Sequence, residues 1–231
     1  MKIVTTFNPD HWDLYVKRNM MSWLDHFDCE IVCYYEGEQP ELEGIEWRRL
    51  ADVDGLVTFL GSIEHFPKAH GATDSGYNYN FDANKFSRKV FAQCDAFKDN
   101  DDYLIWLDSD VRLFKDVTLK DIKTWMGDGD IALFQRPGYH SESGIVFWKN
   151  NSKTDSFFKL YQSLYETGEI LKHPQGWHDC WAMDSVIMNT DIKASNLTPM
   201  RVWGLGNLHV VPHSVVKKHM EHNKGNRKYG G

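Results

Sequence analysis

The 231-residue chain is short of cysteine, of long apolar runs and of positive charge, and each shortage excludes something. Four cysteines are too few and too scattered to staple a domain of this size. Cys29 and Cys33 lie four apart, Cys94 and Cys180 stand alone, and no Cys-x-x-Cys pair occurs, so no cysteine zinc site is expected. Small buried hydrophobes in a reducing cytosol are the expected use of these thiols. The longest uncharged apolar stretch, from Gly55 to Ile63, is far short of a membrane span. The opening MKIVTTFNPD turns polar at once, unlike a secretory signal, which predicts a soluble intracellular protein. The net charge of −7 and pI near 5.9 disfavour wholesale binding to a nucleic-acid backbone. No repeat, low-complexity tract or Pro/Ser linker divides the chain, so a single domain over 1–231 is expected. What is abundant is core material: 42% hydrophobic residues, 14% aromatic, with nine tryptophans, which excludes a disordered chain.

The pattern alternates strand and helix. Lys2 to Phe7 is β-branched and apolar, and Asn8-Pro9 then makes a helix start. Ile31 to Tyr35 and Ile45 to Leu50 predict strands, and Asp52 to Ile63 a helix. His65 to Asn80, rich in Gly, Asn, Ser and Tyr, predicts a long loop, of the kind that is usually functional or mobile, here a lid. Asp82 caps a helix whose apolar stripe carries Phe86, Val90, Phe91, Cys94 and Phe97, with Lys85, Arg88 and Lys89 largely off it. The uninterrupted run Tyr103 to Leu107 suits a strand buried on both faces of a parallel sheet. Thr118 with Asp121 makes a capping box. Strands at Ile131 to Phe134 and Gly144 to Trp148, and helices at Thr154 to Glu166 and Asp179 to Met188, complete an α/β pattern. From Lys217 onward the charge reverses to basic, with weak helix or strand periodicity of its own.

Asp108-Ser109-Asp110 lies directly beyond the buried strand. In open α/β sheets ligands bind outside the carboxyl ends of the strands. Residues two apart in an extended chain point the same way. Two carboxylates converging there suit a hard divalent cation. The plain alternative is a solvated acidic turn.

In this context the Asp-x-Asp triplet resembles the metal motif of glycosyltransferases with the GT-A fold, a Rossmann-like α/β domain with a central, mostly parallel sheet flanked by helices. Four further stretches carry the resemblance. His222-Asn223-Lys224-Gly225-Asn226-Arg227-Lys228 fits the C-terminal His-x-x-Gly-x-x-Lys of the family-8, glycogenin-like members, with Tyr229 where that pattern continues with Pro. Ser143-Gly144-Ile145-Val146 resembles the Asn-Ser-Gly-Val segment of the sugar site, with Glu142 in place of Asn. Asp82 to Val90 is similar to the helix that precedes the metal motif in several bacterial and viral members. Met183-Asp184-Ser185-Val186-Ile187 resembles the Asp-Gln-Asp-x-Leu region near the acceptor, with Ala182 replacing the first Asp.

The resemblance implies a hexosyltransferase-type enzyme of a bacterium or phage-infected host, cytoplasmic, moving sugar from a nucleoside-diphosphate sugar, UDP-sugar favoured, to a hydroxyl. It implies Mn²⁺ or Mg²⁺ on Asp108, Asp110 and His222, with His209, His213 and His219 as rival ligands. Donor contacts would come from Thr5, Thr6, Asn8, Lys85, Arg88, Lys89, Ser109, Glu142, Ser143, Gly144, Lys224, Gly225 and Lys228, with Arg227 adding charge. The tail, 217–231, would close over the donor. Asp184 and Asp179 are the candidate general bases, and Trp177 and Trp181 beside Asp179 are candidates to dock the acceptor, their alternative being core packing. The acceptor stays open: glycan, lipid-linked intermediate, protein, or hydroxymethylated pyrimidine in DNA, for which the basic tail and the 65–80 loop leave a base-flipping mode open. Of other classes, a nucleotidyltransferase would also use paired carboxylates and a metal, but no Gly-rich basic loop follows the first strand. A non-catalytic nucleotide-sugar binder would keep Asp108 and Asp110.

Overall fold

A computed structural model describes residues 1–99, 101–136, 138–198, 209–225 and 228. Eleven strands are found among them: β1 (Lys2–Thr6), β2 (Glu30–Tyr35), β3 (Glu46–Arg49), β4 (Ala72–Thr73), β5 (Gly76–Tyr77), β6 (Tyr103–Leu107), β7 (Val111–Leu113), β8 (Ile131–Phe134), β9 (Glu142–Lys149), β10 (Ala194–Asn196) and β11 (Met220–His222). The α-helices are α1 (Lys17–His26), α2 (Leu56–Ile63), α3 (Ala83–Phe97), α4 (Leu119–Met126), α5 (Ser152–Glu166) and α6 (Asp179–Met188).

Seven strands form one sheet in the order β10-β8-β9-β6-β1-β2-β3, parallel except where β9 runs antiparallel to β6 and β8. The expected α/β architecture is the observed one. The apolar run of β6 is divided between the sheet's faces. Leu104 and Trp106 join the core under α2, α3, α5 and α6, while Ile105 and Leu107 join the core under α1 and α4. From β1 the chain moves outward to β2 and β3, then returns to place β6 on the other side of β1. The carboxyl ends of β1 and β6 therefore flank a topological switch point, where open α/β sheets bind ligands.

Local chemistry sets the element ends. Asn8 accepts from the Asp10 amide ahead of a short 3-10 turn, and a π-type turn then leads into α1. Asp82 accepts from the Lys85 amide and caps α3. Thr118 and Asp121 form the reciprocal box that starts α4.

The structure corrects three expectations. The tail has a strand: β11 pairs antiparallel with β7, and Met220 and His222 are buried. Its alternation is only three residues long, too short to register as a period. The 65–80 segment carries a 3-10 turn and the β4–β5 hairpin, and is tied to the body where the Trp177 amide donates to the Asn80 carbonyl at 2.6 Å. Lys89, expected off the buried stripe of α3, is buried with Ser87 and Gln93. Asn226, Arg227 and Tyr229 lie outside the described residues.

Candidate active site

The β1 and β6 ends open into a cavity of about 1110 Å³. Asp108 follows β6, and its amide donates to the Gly144 carbonyl of β9 at 2.8 Å. The Asp108 carbonyl accepts the Val111 amide at 2.8 Å, closing the turn that carries Asp110 back toward the same point. The two carboxylates differ in setting. Asp108 Oδ1 accepts Trp106 Nε1 at 2.7 Å and Lys89 Nζ at 2.9 Å, which leaves Oδ2 facing His222. Asp110 is buried, with His222 Nε2 2.8 Å from Oδ1 and Lys228 Nζ 2.7 Å from Oδ2. Burial pushes the Asp110 carboxyl up, but His222 and Lys228 more than reverse this and hold it well below the usual carboxylate range. The same carboxylate raises Lys228 against the effect of burial.

His222 arrives through the β7–β11 pairing, which sets it opposite Val111. Its ring occupies space that only a glycine leaves open. A Cβ on Gly144 would stand 2.2 Å from His222 Cε1 and 3.0 Å from Asp108 Oδ2. Ligand atoms of Asp108, Asp110 and His222 lie within 4.8 Å of one another. Among the described residues the buried His222 Nδ1 has no hydrogen-bond partner, and Asp110 Oδ1 meets His222 Nε2 alone at 2.8 Å. Two carboxylate oxygens and one imidazole nitrogen converging in a largely buried site fit a divalent cation such as Mn²⁺ or Mg²⁺.

A second buried network adjoins the first. Lys89 Nζ donates to Asp108 Oδ1, to the Ser143 carbonyl at 2.9 Å and to Ser143 Oγ at 3.0 Å, and pairs with Asp179 Oδ2 at 2.8 Å. Ser143 Oγ donates to Asp179 Oδ2 at 2.5 Å. Asp179 is the first residue of α6, where the helix dipole favours a carboxylate, and His178 is the N-cap. Burial raises the Asp179 carboxyl, but Lys89 and Ser143 override it and pull it down to about 2. His178, Asp179 and Cys180 also cluster as metal-ligand types, but the Lys89 ammonium already occupies this carboxylate.

The remaining sequence candidates divide clearly. Thr6, Asn8, Lys85, Arg88, Ser109, Glu142, Lys224 and Lys228 line the cavity with Asp108, Asp110, Lys89, Ser143 and Asp179. Arg88 pairs with Glu36 at 2.7 Å. Glu142 is buried and pairs with Lys224, and burial, which would raise its carboxyl, is outweighed by Lys224 and His222. Thr5 is fully buried, donates to the Thr6 carbonyl and does not line the cavity. Asp184 is likewise outside the lining: its carboxylate accepts the Ser141 amide at 2.9 Å. Gly225 contributes a left-handed turn at φ +60° between Lys224 and the rest of the tail. Trp177 packs against Phe66 and Phe81, and Trp181 against His140 and His173, and neither tryptophan lines the cavity. His209 has its ring 6.5 Å from that of His222.

Sequence reasoning did not single out Trp106, His11, Tyr15 or the 139–140 turn. His11 and Tyr15 are joined at 2.7 Å, and Lys228 Nζ lies 5.2 Å from the Tyr15 ring centre. His11 and Tyr15 follow Asn8 by one helical turn and two, a spacing that marks them as neighbours of the β1 end.

No protein-family model matches the chain, and no curated protein sequence matches it. Solved structures do. The apo form of mouse xyloside xylosyltransferase 1 superposes with a TM-score of 0.56 over 98% of this chain and 99% of that one, at 12% identity. The galactosyltransferase LgtC, solved with donor and acceptor sugar analogues, gives 0.51 over 86% of this chain and 73% of that one, at 10% identity. The chain has the GT-A glycosyltransferase fold.

Proposed function

We propose that this chain is a metal-dependent glycosyltransferase that moves a sugar, of the hexosyl type, from a nucleoside-diphosphate sugar to a hydroxyl acceptor. The observation that carries the reading is the meeting of Asp108, Asp110 and His222 at the switch point of a GT-A fold, with Lys228 against Asp110. A divalent cation held there would stabilise the charge that develops on the leaving diphosphate.

The chain's own groups account for the rest. Thr6, Asn8 and His11, at the end of β1, line the half of the cavity suited to a nucleoside. UDP is the favoured nucleotide on the family-8-like tail pattern. Lys228 and Lys224 bring ammonium groups to the cavity where a diphosphate would lie next to the acidic cluster. Lys89 and Asp179 neutralise each other beside Ser143, so Asp179 is a positioning residue, not a base poised to take a proton. Asp184 accepts the Ser141 amide and lies 3.7 Å from His140 Nδ1, so it stands behind a ring of the cavity lining.

No helix among the described residues is long and apolar enough to cross a membrane. The four cysteines are unpaired, in keeping with a reducing cytoplasmic setting.

The test is a thermal-shift screen of UDP-, GDP-, ADP- and CMP-sugars with and without Mn²⁺. The expected result is stabilisation by one nucleotide class that needs the metal and vanishes in EDTA. Equal shifts with and without metal, or none with any nucleotide, would refute the reading.

A further inference from the structure

The turn that carries Asp110 presents four successive carbonyls, and each has its own partner. Asp108 accepts the Val111 amide at 2.8 Å, and Asp110 accepts the Asn223 amide at 2.9 Å. The other two are held from α1. Asn19 Nδ2 donates to the Ser109 carbonyl at 2.9 Å, and Trp23 Nε1 donates to the Val111 carbonyl at 2.9 Å. Between them, Ser22 Oγ accepts the Leu113 amide at 3.1 Å. Residues four apart share one helix face, so Asn19 and Trp23 form a rail along the chain from Ser109 to Val111. Tyr15, four residues before Asn19, lines the cavity with Lys228 over its ring.

Asn19 is the unusual member of this rail. It is 1% exposed, and the other buried side chains of α1, Met20 and Trp23, belong to the hydrophobic core. Its Oδ1 is buried with no hydrogen-bond partner among the described residues. An amide buried with one end unpaired costs stability that an apolar side chain of the same branched shape would not. Ser109 is only half-buried and lines the cavity, so satisfying its carbonyl does not of itself require a buried amide. What the Nδ2 bond supplies is direction. The Ser109 carbonyl and the Asp110 amide share one rigid peptide plane. Holding that oxygen fixes the plane, while the Asn223 amide fixes the next carbonyl, so the backbone on both sides of Asp110 is tied. The Asp110 carboxylate is thereby kept at His222, 2.8 Å from Nε2.

We infer that Asn19 is a positioning residue of the acidic cluster: through the Ser109 carbonyl it fixes the peptide plane that aims Asp110, and so sets the affinity of Asp108, Asp110 and His222 for a divalent cation. The inference rests on the metal-dependent reading above, whose site it extends to α1.

The experiment titrates the full chain with Mn²⁺, counting the free ion by its electron paramagnetic resonance signal. The urea midpoint and far-UV circular dichroism are measured on the same samples. Asn19→Leu keeps the branched shape without the donor, and Asn19→Ala removes the bulk as well. Both should weaken Mn²⁺ binding about ten-fold, the low end of the roughly ten- to hundred-fold usual for losing a group that orients a metal ligand. Ser22→Ala, which cuts the neighbouring tie from α1 to Leu113, should bind Mn²⁺ as the parent does. A merely structural amide would move the urea midpoint and leave Mn²⁺ affinity unchanged. Parent-like Mn²⁺ affinity in both Asn19 variants would therefore overturn the inference. So would an equal loss in Ser22→Ala, or Asn19 variants that do not fold. In each of these cases Mn²⁺ binding by the parent upholds the metal-site reading; a parent that binds no Mn²⁺ would overturn that reading and the inference with it.

Discussion

Replacing Lys89 by Met should invert the pH dependence of stability near neutrality. The side chain is nearly isosteric, so the main loss is the ammonium, which in the parent serves Asp108, Asp179 and Ser143 at 2.8–3.0 Å. Asp179 is 1% exposed, so water cannot replace the lost partner, whereas Asp108 is about a third exposed and can be rehydrated. Breaking a buried ion pair from one side typically costs about 3–5 kcal/mol. In the parent, the Asp179 carboxyl is held near 2 against an ordinary 3.8, which corresponds to about 2 kcal/mol. A depressed carboxyl contributes stability that is present above its unfolded value and lost as pH falls from 3.8 toward 2. In Lys89→Met the desolvation of Asp179 is left opposed mainly by the Ser143 hydroxyl, and the folded carboxyl moves above its unfolded value. Stability then falls as pH rises from about 4 toward 7, because the folded state must hold an unpaired buried carboxylate. Urea denaturation at intervals from pH 4 to 8 measures this slope. The double variant Lys89→Met/Asp179→Asn should remove the inverted slope and recover much of the loss. A single variant destabilised by less than about 1 kcal/mol, or one whose stability keeps the parent's pH profile, would refute the buried-pair argument.

Further outcomes follow from the same geometry. Gly144→Ala, whose Cβ would overlap His222, should weaken Mn²⁺ binding by roughly ten-fold or more, followed by tryptophan fluorescence, since Trp106 donates to Asp108; unchanged Mn²⁺ affinity would refute the close-approach argument. Lys228→Gln should lower nucleoside diphosphate affinity about ten- to a hundred-fold by calorimetry, the cost of one charged contact, while Mn²⁺ alone binds at least as tightly because no ammonium competes for Asp110. Asp110→Asn should abolish metal-dependent nucleotide binding with the far-UV circular dichroism unchanged; nucleotide binding that stays metal-dependent would remove Asp110 from the site. Truncation after Val216 deletes β11 and the buried Met220, so it should lower the melting temperature even without ligand, by the roughly 2–5 kcal/mol of losing a buried large side chain; a tail that orders only on the donor would leave the melting temperature unchanged.

The sequence by itself determined much of the frame. The five-residue apolar run 103–107 can be satisfied only with both faces covered, and it became the strand beside β1. The caps at Asn8, Asp82 and Thr118 are local hydrogen-bond chemistry and form as the residue types dictate. Asp108 and Asp110 were legible as a pair because a buried strand followed by Asp-x-Asp fixes both position and direction within three residues. His222 was legible only by resemblance. What brings it to Asp110 is the β7–β11 pairing, a contact between distant stretches of chain that no local period encodes. The different partners of Asp179 and Asp184 are also tertiary: both lie on α6, but Asp179 in its first turn meets Lys89 and Ser143, while Asp184 accepts the Ser141 amide. Lys89 shows the same limit most plainly. A lysine off an apolar stripe is ordinarily solvated, because burying an ammonium costs more than local sequence can offset. Acceptors on three residues, Asp108 just after β6, Ser143 of β9 and Asp179 of α6, assembled only in the folded chain, supply the compensation that makes its burial stable.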